Sequence, residues 1–162
     1  MSSALIKFIG SIFVISAAVY FGLRKIETER EKIRELIAFS DMIKFIHDNI
    51  LHFRRPLPEI FSDYRNKYLD KKHLLEHIRI YGIKESLDGY SFTVGSAERD
   101  LIISFSQKIG SGYVDDELNL CKYTFEKLLE KGSEMQNEIK NTEKMYLTIP
   151  VILALSVILI LI

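Results

Sequence analysis

Leu5 to Leu23 reads LIKFIGSIFVISAAVYFGL, and RKIETEREKIRELIAFSDMIKFIHDNI follows it without a break from Arg24 to Ile50. The first stretch carries a single charge, Lys7. As a helix rising 1.5 Å per residue it covers about 28 Å, close to the hydrocarbon thickness of a bilayer. The sequence therefore predicts a transmembrane helix within residues 1–23. A cleaved secretory leader is the rival reading, since Ser16, Ala17 and Ala18 are small. Leader cores are shorter, however, and here the apolar run continues through Val19, Tyr20 and Phe21 with no polar segment before a cleavage site.

The other end answers the first. Tyr146 to Ile162 holds no charged residue and predicts a second span over 146–162, at the short limit of what crosses a bilayer. Pro150 falls in its first turn or two, where a lost amide bond matters least. Of the 22 basic and 22 acidic side chains, all but Lys7 lie between Arg24 and Lys144. Two spans put the whole of 24–145 on one side. Arg24, Lys25, Arg30, Lys32 and Arg34 follow the first span and Lys131, Lys140 and Lys144 precede the second, so the middle is expected in the cytoplasm and both termini outside.

The formal net charge of +0 excludes a polybasic nucleic-acid binder and an acidic disordered chain. With 1 cysteine, Cys121, neither an internal disulfide nor a thiolate cluster can be built.

The middle reads as all-α, a bundle of five to six helices with no sheet. No Gly or Pro interrupts Leu23 to Pro56, and Ile33, Leu36, Ser40, Ile43, His47 and Ile50 recur in steps of three and four. One long amphipathic helix should therefore run out of the membrane, with Glu27, Glu31, Arg34 and Glu35 on its solvated face. Leu118, Cys121, Phe125, Leu128, Gly132, Met135 and Ile139 form a matching seam on a last helix that enters the second span, antiparallel to the first. Between them, Pro56-Leu57-Pro58-Glu59 starts a short helix with Ile60, Phe61, Tyr64 and Tyr68 on its apolar face. Leu74, Leu75, Ile78 and Tyr81 mark another, broken at Gly82, and Ser96 to Ile109 a third, stopped by Gly110. Ser86 to Gly95 reads as a connection, because a lone strand through Phe92, Thr93 and Val94 would have no partner. Arg54 and Arg55 are placed to cap the first helix.

Chemical motifs are sparse. His73-Leu74-Leu75-Glu76-His77 fits the H-x-x-E-H pattern of one zinc peptidase group, in which two imidazoles four apart on a helix hold the metal and the Glu acts as base. Leu74 and Leu75 point instead to a core-facing helix with a polar back. Gly110-Ser111-Gly112 lacks the Lys and Ser or Thr of a phosphate loop and reads as a turn. No nucleophile, acid–base pair or cofactor motif emerges, so a non-enzymatic, cofactor-free function carried by surfaces is expected. A membrane metalloprotease, or a two-span signalling or membrane-remodelling protein, is the alternative.

The order of span, helical body and span resembles the stage III sporulation protein AB family of endospore-forming bacteria over nearly the whole chain. The resemblance rests on Lys7-Phe8-Ile9-Gly10, Gly22, Arg34-Glu35-Leu36, Pro56-Leu57 with Glu59, Glu98 through Ile109-Gly110, and Glu143-Lys144-Met145-Tyr146 taken in order. The chain departs from the family pattern at Tyr113 and Glu117, where an Asp and a Gln are usual, and at Pro150, where a glycine is. The resemblance implies a relative of the inner-membrane platform protein of type II secretion and type IV pilus machines. Such a protein would sit in the mother-cell membrane facing the forespore as an oligomeric channel component. Its expected partners are the membrane, a secretion-type ATPase of the same operon and other sporulation channel proteins, with no nucleic acid.

Overall fold

The computed structural model describes residues 3–161, with side-chain surroundings for 10–156 and Leu159. The described residues form seven helices and no strand: α1 (Ser3–Phe53), α2 (Leu57–Asp63), α3 (Lys67–Lys71), α4 (Leu74–Tyr81), α5 (Ile83–Asp88), α6 (Ser96–Lys108) and α7 (Val114–Leu161). Contacts divide them into two compact units, one made of residues up to Arg30 together with those from Met135 on, the other of Glu31–Glu134.

In the first unit the two chain ends form a helical hairpin. Gly22, Ile26, Ile139 and Ala154 are its buried positions, while Ile12, Phe13, Phe21, Ile152, Leu153 and Leu159 are exposed. Arg30 Nη2 meets Glu143 Oε1 at 2.8 Å, tying one arm to the other. Among the described residues no helix is long and apolar enough to cross a membrane. The side chains of Leu5 to Ile9, Lys7 included, and of Val157, Ile158 and Ile160 to Ile162 lie outside the described residues, so both expected spans are described only in part. Pro150 stands deep inside α7 rather than near a helix start, because α7 is continuous from Val114.

The second unit is the bundle. Its centre is α1 from Ile33 to Ile50, where Leu36, Phe39, Met42, Ile43 and Ile46 are each 0 % exposed. Burial here is wider than one stripe. Beside Ile33, Leu36, Ser40, Ile43 and Ile50 runs a second row, Glu35, Phe39, Met42, Ile46 and Asn49, and Arg34, Ile37, Asp41 and Lys44 remain exposed. The helix ends where Arg54 turns left-handed (φ 50°) with its N–H on the Ile50 carbonyl (3.1 Å), just before Pro56. Arg55 does not cap α1. It pairs with Asp63 (2.7 Å) and Glu59 (3.5 Å) of α2.

Two helices escaped the apolar pattern. Tyr64 and Tyr68 do not share a helix: the chain is extended at Tyr64, and α3 begins after Asn66, whose side chain accepts from the Tyr68 and Leu69 N–H groups. Gly82, at φ 89°, breaks α4 as expected but is followed directly by α5, which occupies the start of the expected connection. Gly110, at φ 83°, follows α6, and Asp115, Asp116 and Glu117 lie in the first turn of α7, where their charge opposes the helix dipole.

Candidate functional site

Glu35 was expected in solvent and is 0 % exposed. An ionised carboxylate is buried only when its oxygens are satisfied, and here four donors converge on it. Tyr90 Oη donates to Oε1 at 2.8 Å, while the Thr93 N–H (2.6 Å), the Thr93 hydroxyl (2.8 Å) and the Val94 N–H (3.0 Å) all donate to Oε2. Lys72 Nζ lies 3.7 Å from Oε1 and over the Tyr68 and Tyr90 rings at 5.3 and 5.7 Å. Burial and the adjacent Glu35 charge both push the Tyr90 phenol well above its ordinary range, so it stays a proton donor.

This arrangement explains the segment 90–94. Phe92, Thr93 and Val94 have the composition of a strand but no strand to pair with; a side-chain carboxylate supplies the acceptors that a neighbouring strand would have provided. Phe39 of α1, with Tyr90 and Phe92 each at 5.8 Å, seals the latch with aromatic contacts. The single apolar stripe read from the sequence left Glu35 on the opposite face. The available signal was its spacing with Phe39, Met42 and Ile46, which puts it in an apolar row.

The expected seam residues divide by depth. Leu36, Ile43, Ile50, Cys121, Leu128 and Ile139 are buried, and Leu118, Phe125 and Met135 are half-buried. Within the bundle, Ser40 Oγ donates to the Phe125 carbonyl at 3.1 Å, His47 faces the Phe125 ring at 6.0 Å, and a Cβ on Gly132 would stand 3.8 Å from Leu36. Burial pushes the Cys121 thiol up to about 12.

The residues that carried the family resemblance are scattered. Gly10 is exposed with nothing within 4 Å of a built Cβ, Pro56 and Met145 are exposed, and Leu57 lies near Gly110, 2.9 Å from where a Cβ would stand. Gly22 is different: a Cβ there would come within 2.5 Å of the Tyr146 carbonyl oxygen.

The H-x-x-E-H stretch does not build a metal face. His73 is the N-cap of α4 in a left-handed conformation (φ 57°), its carbonyl accepting the His77 N–H at 3.2 Å, rather than a residue of the helix itself. His73 instead sits 3.5 Å from Glu76 with its side chain 80 % exposed, and His77 faces the Tyr81 ring at 5.1 Å. Among the described residues no three metal-ligating side chains gather.

Residues 7–78 match the family model of stage III sporulation protein AB (spore_III_AB). Over that segment the chain is similar to the stage III sporulation protein AB family. No curated protein and no solved structure matches the chain. The matched segment contains Glu35 and Lys72 of the latch, while Tyr90, Thr93 and Val94 lie beyond it. Gly110, Met145 and Tyr146 also lie outside the match.

Proposed function

We propose that this chain is a stage III sporulation protein of the AB type, a two-span membrane protein whose helical body, residues 24–145, faces the cytoplasm as a non-catalytic platform of a sporulation channel. It couples a secretion-type ATPase to the membrane complex in the mother-cell membrane. The observation that carries this reading is the hairpin surface. Phe13, Phe21 and Leu159 are 72 %, 71 % and 80 % exposed, on ends whose sequence is free of charge except at Lys7. An apolar band of this kind is stable against lipid and costly against water.

The test is topology followed by capture. Full-length chain in sealed membranes should remain with the lipid after alkaline extraction, and protease should reach Asp63 and Lys84 only from the cytoplasmic face. The detergent-solubilised chain should then co-purify with the sporulation ATPase. Release by alkali, or cleavage from the outer face, would overturn the membrane assignment. Intact topology with no ATPase retained would overturn the platform role alone.

A further inference from the structure

A recess of about 580 Å³ opens beside the Glu35 latch, lined by Arg34, Lys67, Lys71 and Lys72 with Tyr68, Thr93 and a single carboxylate, Glu31. Glu31 is already engaged by Arg34 at 3.3 Å. Asp70, between the lysines in sequence, accepts the Asn66 N–H at 3.3 Å. Lys72 is held in place by Glu35 and the two tyrosine rings. Lys67 and Lys71 are exposed, and neither has an ion-pair partner among the described residues. Like charges four apart on a helix destabilise it, so folding alone gives no reason for this pair. A bound anion would.

We infer that this recess binds the phosphate of an anionic phospholipid headgroup. The inference rests on the two-span reading. In the sequence Glu31 and Arg34 follow Leu23, where the apolar run ends, by only eight and eleven residues, so they belong to the juxtamembrane segment of the two-span reading. The cytoplasmic leaflet is anionic, and basic groups near it are attracted to its phosphates. Lys67 and Lys71 supply two point charges at the recess that no carboxylate among the described residues neutralises, beside Lys72 and Arg34, whose charges are shared with Glu35 and Glu31.

The experiment uses the full chain in lipid nanodiscs of phosphatidylcholine alone or with phosphatidylglycerol, pulsed with an amine-reactive reagent and read by peptide mass spectrometry. Lys67 and Lys71 should label about fivefold more slowly in the phosphatidylglycerol discs, while Lys127 and Lys131, paired with Glu130 and Glu134, should label equally in both. Lys71→Gln should restore Lys67 labelling, which a general attraction to the surface would not do. Millimolar inorganic phosphate added to phosphatidylcholine discs should protect neither lysine. Equal labelling in both discs overturns the inference and leaves the two-span reading standing, as does protection by free phosphate or protection that survives Lys71→Gln. Failure of the chain to enter either disc overturns both.

Discussion

Gly22 stands against the backbone carbonyl of Tyr146, close enough that a Cβ would lie 2.5 Å from the oxygen. That carbonyl is the one a helix would normally bond to the amide of residue 150, and Pro150 has no amide hydrogen to give. The missing side chain of one helix thus makes room for an oxygen that the proline of the other leaves free, a setting in which a Cα–H can serve as a weak donor.

Gly22→Ala should therefore lower the thermal stability of the full chain in detergent by about 1–3 kcal/mol, since the clash is with backbone and cannot be relieved by a rotamer change. In a Pro150→Ala background, where the Tyr146 carbonyl regains its own amide, the cost of Gly22→Ala should shrink. Additive effects in the double variant would disprove the coupling.

Removing the Glu35 carboxylate strands several buried donors at once. Glu35→Ala should cost about 3–5 kcal/mol in urea unfolding, and Glu35→Gln less, because the amide oxygen can still accept some of the four bonds. Hydrogen exchange at the Thr93 and Val94 amides should rise in both variants. Unchanged exchange would mean that the loop is held by its aromatic side chains alone.

The seam should respond in proportion to depth. Leu128 is 0 % exposed, and Leu128→Ala should cost about 2–5 kcal/mol, with Leu128→Asp unfolding the body. Half-buried Phe125 should tolerate Asp better than Leu128 does. The reverse order in thermal melts would mean that Phe125, not Leu128, anchors the contact.

Cys121 gives a pH prediction. Burial raises its thiol from an ordinary value of 9.0 to about 12. The unfolded chain therefore loses this proton first, the folded state binds more protons between those limits, and stability falls as pH climbs from about 9 toward about 12. At pH 8 a thiol reagent should modify the native chain far more slowly than the denatured one, and Cys121→Ala should flatten part of the alkaline loss. Rapid native labelling would place the thiol at the surface.

What the sequence revealed tracks what apolar periodicity can encode. The long helices were legible because Gly and Pro are absent from Leu23 to Pro56 and because Leu118 through Ile139 repeat in steps of three and four. Helix α3 was not, since its start is set by one asparagine side chain rather than by a stripe. Glu35 was misplaced because a carboxylate reads as solvent-facing until the loop that surrounds it is known. The H-x-x-E-H match at His73 was read as a polar helix face because Leu74 and Leu75 are apolar, and both leucines are buried; that His73 lies outside the helix, with a left-handed backbone, was not legible. The Lys67–Lys71 recess needs residues from α1, α3 and the loop at Thr93, which nothing in linear order brings together.

The Ser40 bond to Phe125 and the Glu35 latch sit five positions apart on the same rod and look toward different neighbours. Their angular offset is a phase, fixed by the number of residues between them. Deleting any one of those residues would rotate everything downstream by about 100° about the axis, so that hydroxyl and carboxylate could no longer both reach their partners. Between these two points evolution can exchange letters, but it cannot change the count.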